Sequence, residues 1–372
     1  MVLMRRHGWI ALAVIVLTGC VRLGFSTGGG NRDAADRGVL DGPLLIDLGP
    51  LDSPVAGDIF SDLTADPCAP RTADGTHLNP GCDPQVVSQG LTSLSNDPIG
   101  LTDKWLLVSG TRWWIFDPAG AGGAGKFTDG GKDFAARLRQ EKPDCSAMTT
   151  DGIALNPGCD PSVQSKGFTS VAAVTMWGKT FWVGLSGSRY WYYDPLVGAF
   201  VNGGKDLGGQ LLQNDPKDCS KTSSDGTSLN PGCDADVKLK GFTAMTNSPP
   251  SSTISWAGFS GKKWWVFDPT TGSNGAFVDA GADTSQVLRL FPPSCAAQTP
   301  DGIALNPGCD PDVQQVGFTA AATVESDSTV YWLGVSGKKW WLFDRTVGAG
   351  GTFELGGKDI SALLKASVPP LP

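Results

Sequence analysis

Trp113-Trp114-Ile115-Phe116-Asp117, Tyr190-Trp191-Tyr192-Tyr193-Asp194, Trp264-Trp265-Val266-Phe267-Asp268 and Trp340-Trp341-Leu342-Phe343-Asp344 are four versions of one segment, each preceded by Lys or Arg. Side chains alternate faces along a strand, so Trp340 and Leu342 point one way, and Trp341 and Phe343 the other. Both faces are large and apolar, and a sheet built from such strands has to be covered on both sides. Working back from each Asp, a Trp stands twelve residues earlier, at Trp105, Trp182, Trp256 and Trp332. Fifteen residues before that is Gly-Phe-Thr (Gly-Leu-Thr in the first copy), starting at Gly90, Gly167, Gly241 and Gly317. Eight residues earlier is a Cys, and thirteen residues separate it from another. None of these intervals varies; the only length variation, 28, 25 and 27 residues, lies between the Asp and the next Cys. The repeat is therefore one structural unit in four copies, covering 68–144, 145–218, 219–294 and 295–372.

Within the fourth copy, Gly317–Val324, Val330–Val335 and Lys338–Phe343 read as strands, Thr352–Leu355 as a further one and Ile360–Leu364 as a short helical turn. Small two-faced sheets stacked between their neighbours describe an all-β propeller. Separate beads on a string are the alternative, but no flexible linker divides the copies and the aromatic strands would lie bare. Ser186-Gly187-Ser188-Arg189-Tyr190-Trp191-Tyr192-Tyr193-Asp194-Pro195 resembles the hallmark of hemopexin-like repeats, with Phe318–Ala321 upstream and Gly356–Leu364 downstream matching further parts of that pattern. The resemblance implies a four-bladed β-propeller with a central channel. It also implies that backbone carbonyls of the innermost strands, near Thr92, Thr169, Thr243 and Thr319, face an axial position suited to Ca2+ or another hard cation. These threonines stand where the family has Asp. A Cys pair in every copy is a further departure, since the family staples its first blade to its last.

The pairs Cys68/Cys82, Cys145/Cys159, Cys219/Cys233 and Cys295/Cys309 read as one disulfide loop per blade. Closing a loop of about 15 residues stabilises by roughly 3 kcal/mol in the chain-entropy model. Zinc is the alternative, but Cys-x13-Cys lacks the closely spaced second ligand of zinc modules. Between the cysteines, Asp-Gly and Leu-Asn-Pro-Gly carry turn chemistry; the oxygens of Asp151, Asn156 and Asp160 would alternatively suit calcium. Eleven of the thirteen Trp occupy repeated strand positions and read as packing between blades. Trp177 falls in a loop of the second copy alone and is a candidate to stack on a sugar or a protein partner.

The N-terminus supplies the address. Arg5 and Arg6 precede an apolar stretch, Trp9–Leu17, too short to span a bilayer. Leu17-Thr18-Gly19-Cys20 resembles the bacterial lipoprotein processing box, which implies that Cys20 becomes a lipid-bearing N-terminus. Removing Cys20 leaves eight cysteines in four equivalent pairs, as expected outside the reducing cytoplasm. Residues 21–67 are rich in Gly, Pro and Asp and show no helical or strand period, so they read as a disordered tether with a span of about 40 Å. Val21 stands where Asp signals inner-membrane retention in well-known lipoproteins, which points to the outer membrane.

Composition excludes other classes. Without Arg5 and Arg6 the chain has 27 Lys and Arg against 37 Asp and Glu, and no basic run, so nucleic acid is not a partner. Contact with a membrane would come only from the lipid. His77 is the one His beyond the signal, so no bis-His haem site is available within one chain and no haem is expected. There is no nucleophile elbow, phosphate-binding Gly loop or His cluster. The expectation is an envelope-anchored lipoprotein whose propeller is a non-catalytic binding module for an extracellular protein or glycan. A structural envelope scaffold is the alternative. A carbohydrate-active enzyme would call for an asymmetric polar cluster in one copy, which the sequence lacks.

Overall fold

A computed structural model describes residues 66–96, 104–118, 125–176, 179–247, 255–272, 275–326, 329–348 and 350–366. The signal with Cys20, the tether to residue 65, and Trp177 lie outside the described residues. Each copy forms one antiparallel four-stranded sheet with strands in sequence order. The first is β1 (Ser93–Asn96), β2 (Trp105–Ser109), β3 (Arg112–Asp117) and β4 (Lys126–Asp133). The second is β5 (Ser170–Met176), β6 (Lys179–Ser186), β7 (Arg189–Asp194) and β8 (Ala199–Asp206). The third is β9 (Ala244–Asn247), β10 (Trp256–Ser260), β11 (Lys263–Asp268) and β12 (Ala276–Gly281). The fourth is β13 (Ala320–Ser326), β14 (Thr329–Ser336), β15 (Lys339–Asp344) and β16 (Thr352–Asp359). The leading strands meet in a ring: β1 packs beside β5, β5 beside β9, β9 beside β13, and β13 beside β1. The sheets are therefore the blades of a closed four-bladed propeller.

The aromatic third strands explain why the ring closes. Trp341 and Phe343 lie in an apolar core shared with the third blade, whereas Trp340 and Leu342 lie in one shared with the first. One strand thus serves two seams, as alternation along a strand requires. The four cores occupy the four seams, with Phe168, Phe242 and Phe318 of Gly-Phe-Thr wedged into three of them. Phe168 meets Phe134 of the preceding blade edge-on, with ring centroids 5.5 Å apart, and Trp182 of its own blade at 5.4 Å. Burying a side chain of this size contributes roughly 2–3 kcal/mol, so an isolated blade would leave much of its stabilising surface exposed.

Two boundaries differ from the reading of the sequence by more than two residues. The leading strand of the fourth copy begins at Ala320 instead of Gly317, because Gly317–Thr319 is engaged with the neighbouring blades. Its outer strand runs on to Asp359, carried past Gly356-Gly357 by an irregularity opposite Trp340/Trp341. Asp359 then caps the closing helix Ile360–Lys365, its carboxylate accepting from Ser361 N–H at 2.7 Å.

Candidate functional site

Each blade is preceded by its disulfide loop: Cys68–Cys82, Cys145–Cys159, Cys219–Cys233 and Cys295–Cys309 are joined. The loop folds back on itself through a bridge, Met148 opposite Ala154 in the second copy, and ends in a Pro-Gly-Cys 3-10 turn. Asn156, fully buried, organises this turn. Its Oδ1 accepts from Gly158 N–H at 2.8 Å, and its Nδ2 reaches the carbonyls of Leu138, Glu141 and Pro143 at 2.9, 2.8 and 3.0 Å. Those carbonyls belong to the end of the preceding blade and its connector. Asn230 and Asn306 repeat the arrangement, and Asn79 reaches Leu364 O at 2.8 Å, joining the first loop to the last blade. The loop is therefore a seat for the previous blade's closing helix. Gly158 permits the approach, because a Cβ there would stand 2.5 Å from Ala135 O.

The same loop is fixed to its own blade at two points. The buried Trp191 donates from Nε1 to Ala154 O at 3.2 Å, as do Trp114, Trp265 and Trp341 to their own loops. Asp160, after the second Cys, caps the short lead helix Pro161–Lys166 by accepting from Ser162 N–H at 2.8 Å. Its other oxygen pairs with Arg189 at 2.7 Å. Asp83–Arg112, Asp234–Lys263 and Asp310–Lys339 are the equivalent pairs. Burial lowers the Lys263 and Lys339 pKa values, but the hydrogen bonds they donate to their Asp partners outweigh it and both end above the ordinary lysine value. The oxygens of Asn156 and Asp160 are thus engaged in holding backbone and a cation, and turn chemistry accounts for them. The reading of the sequence missed the cation partners; a constant spacing of 29 residues from Asp to Arg or Lys in all four copies is the signal.

What the loops expose is their tips. Asp74, Asp151, Asp225 and Asp301, each followed by Gly, are solvent-exposed at equivalent places in the ring. Hydrogen bonds from the Thr72 hydroxyl, and then from Thr76, hold the Asp74 carboxyl at about 2. Burial raises the Asp225 carboxyl, but hydrogen bonds from Ser223 and the Ala282 N–H carry it well below the usual range. Carboxylates ending three of the third strands anchor turns: Asp194 accepts from Leu196 N–H at 2.9 Å, Asp268 from Thr270 N–H at 2.7 Å and Asp344 from Thr346 N–H at 2.7 Å.

Thr92, Thr169, Thr243 and Thr319 are brought together where the leading strands begin. Each hydroxyl spans two blades. Thr169 donates to Leu185 O of its own blade at 3.2 Å and to Phe242 O of the next at 3.4 Å. Thr243 reaches Phe318 O at 2.9 Å, Thr319 reaches Leu91 O at 3.3 Å, and Thr92 reaches Phe168 O at 3.4 Å. The circuit closes on itself: each hydroxyl addresses the carbonyl just before the next threonine. An Asp carboxylate could accept at this position but not donate to these carbonyls, so the replacement by Thr has a structural use. Among the described residues, no group of three or more His, Cys, Asp or Glu is placed to hold a metal ion. The ring offers only neutral oxygens, which suit a hard cation by atom type though not by charge.

No family model matches the sequence, and no curated protein matches it. Solved structures are similar to it in fold. A plant albumin from Cicer arietinum showing hemagglutination is 13% identical with a TM-score of 0.45, covering 76% of this chain and 99% of that one. A hemopexin fold protein from cow pea is 9% identical with a TM-score of 0.46 over the same shares. A seed albumin from Lathyrus sativus is 12% identical, with a TM-score of 0.46 over 75% and 97% of the two chains. Independently of these likenesses, the closed ring of four four-stranded sheets, each with its cationic-aromatic third strand, gives this chain the four-bladed hemopexin-like propeller fold.

Proposed function

We propose that this chain is an exported lipoprotein, anchored through Cys20 at the outer membrane of a bacterial envelope, whose propeller is a non-catalytic binding module for an extracellular protein or glycan. The observation that carries the reading is the fourfold set of exposed Asp-Gly tips, each on a loop held by a disulfide, a buried Asn and a buried Trp. Rigid, equivalent contact points lose little conformational freedom on binding, and four of them in a ring suit a multivalent ligand. A hard cation held by backbone carbonyls near Thr92, Thr169, Thr243 and Thr319 belongs to the same proposal.

Two measurements test it. The chain with Cys20→Ser, expressed without lipid and kept oxidised, is screened on a glycan array in calcium and in chelator. Saturable binding to one sugar class supports a lectin; a blank from folded protein removes the glycan and leaves an envelope protein as the ligand. Loss of binding or of thermal stability in chelator supports the axial cation, and identical behaviour in both buffers removes it. For the anchor, a fatty-acid analogue fed to expressing cells should label the native chain and not Cys20→Ser. Equal labelling of the two would sink the lipoprotein reading.

A further inference from the structure

Each disulfide loop rests against the end of the preceding closing helix, and the residue at that end differs from seam to seam. Arg139, Leu212, Arg289 and Lys365 hold the equivalent position, each with its backbone nitrogen beside the Gly of the loop's Pro-Gly-Cys turn. Where the closing helix of the third blade (Thr284–Leu288) meets the fourth loop and its lead helix (Pro311–Val316), an open niche of about 430 Å³ remains. Arg289 borders it on one side, and Gln298, Gln314 and Lys339 of the fourth copy border it on the others. Ile303 and Pro311 add an apolar part, and the Cys295–Cys309 disulfide belongs to the wall. Gly302 belongs to it too, so the niche adjoins the fourth Asp-Gly tip. Its volume falls in the range of small-molecule sites and is ample for a small saccharide.

The polar groups of the niche are fixed in place. Arg289 Nε donates to Gly308 O at 2.8 Å, and Gln314 Nε2 donates to the same oxygen at 3.1 Å. Lys339 is paired with Asp310 at 2.9 Å and Asp312 at 3.0 Å, so its charge is compensated within the protein. Arg289 is exposed and has no ion pair among the described residues. Anchoring through Nε leaves its terminal Nη1 and Nη2 for a ligand. Arg139, the counterpart in the second copy, is held differently, with Nη1 committed to Gly158 O at 3.2 Å, and the exposed Met148 stands in place of Gln298. In the third loop Leu212, Thr222 and Lys238 replace Arg289, Gln298 and Gln314; in the first, Lys365, Arg71 and Val87 do. Only the fourth loop combines the guanidinium with two amides. Arg289 belongs to the third copy and the rest to the fourth, so inspection of single copies does not reveal the set.

We propose that this niche is a glycan site and takes a uronic acid residue of an acidic polysaccharide. The inference rests on the glycan reading above and names its chemical class. A carboxylate meets the planar guanidinium end-on, through Nη1 and Nη2, in the paired geometry that favours arginine over lysine. Gln314 Oε1 accepts from a ring hydroxyl while its Nε2 stays on Gly308 O, and the Gln298 amide serves a second hydroxyl. Ile303 and Pro311 face the C–H side of the ring. Disulfide, helix end and shared carbonyl hold these groups before the ligand arrives, which limits the ordering cost of binding.

Isothermal titration of the oxidised Cys20→Ser chain tests this, with an oligogalacturonate, the same oligosaccharide after reduction of its carboxylates to alcohols, and glutamate as probes. The oligogalacturonate should bind saturably and the other two far more weakly. Arg289→Ala should weaken its binding by about tenfold or more, the worth of a charge-assisted pair, while Arg139→Ala leaves it unchanged. Gln298→Glu keeps the size of an exposed side chain and sets a carboxylate against the ligand's; it should weaken binding similarly, which covers an Arg289→Ala chain that fails to fold. Equal loss in Arg139→Ala and Arg289→Ala would overturn the proposal. Glutamate binding as tightly as the oligogalacturonate would do so too, by making this a site for a protein carboxylate. Binding of the reduced oligosaccharide that survives Arg289→Ala would remove this site and leave the lectin reading standing. No binding of any probe, beside a blank glycan array, would remove both.

Discussion

Gly167→Ala is expected to destabilise the propeller by about 3–5 kcal/mol, although it adds one methyl group to a turn. Gly167 sits at φ 75°, in the region that L-residues enter at a cost. The larger penalty comes from the neighbouring blade. A Cβ on Gly167 would stand 1.8 Å from Gly110 O and 2.5 Å from its carbonyl carbon, both backbone atoms of a tight turn. No side-chain rotation relieves that clash, so the second blade would have to draw back from the first, loosening Phe168 and the Thr92 bond to Phe168 O. Gly187→Ala is the matched control. It too has positive φ, at 59°, but its Cβ would meet nothing within 4 Å. Its expected cost is about 1–2 kcal/mol, from backbone conformation alone. Urea unfolding of both variants by tryptophan fluorescence separates the contributions. Equal midpoints would mean that the turn-to-turn approach between blades adds nothing.

Much of this architecture is legible in the residues because it is local. Alternation in Trp340-Trp341-Leu342-Phe343 demands two covered faces, and the structure assigns those faces to two different seams. The constant Cys-x13-Cys spacing led to one disulfide per copy because both cysteines belong to one short loop. The functions of Asn156 and Thr169 were hidden for the opposite reason: each acts on another blade. Asn156 gathers carbonyls from the copy before it, and Thr169 addresses the copy after it. Within a single copy, Asn-Pro-Gly reads only as a turn and Thr only as a lost Asp. The ring turns both into joints, and only closure of the ring shows which backbone groups stand opposite. Asp160–Arg189 falls between these cases: both residues lie in one copy, but the pair shows in the sequence only when the four copies are compared and the 29-residue spacing is seen to recur.

Asn156→Ala is expected to cost about 3 kcal/mol, from one buried and two partly buried carbonyls losing their donor at once. The carbonyls of Leu138, Glu141 and Pro143 converge on one Nδ2, and Gly158 N–H loses its acceptor as well. Alanine removes the one side chain that joins these groups and leaves them without it. Asn156→Asp is the sharper variant. It keeps size and the acceptor for Gly158, but replaces the donor with a carboxylate pointed at three carbonyl oxygens. Its cost should equal or exceed that of alanine at neutral pH. Sign follows from the environment: without a donor, those carbonyls push the new carboxyl's pKa above its unfolded value, so the penalty shrinks as pH falls and the group protonates. A calcium role for the loop requires the reverse, since added negative charge there would strengthen binding and make stability rise with calcium. Asp151→Ala divides the same two readings from the exposed side, being nearly neutral if the loop is a structural seat. Thermal melts of Asn156→Asp and Asp151→Ala at two pH values, with calcium and with chelator, therefore distinguish a joint between blades from a metal site.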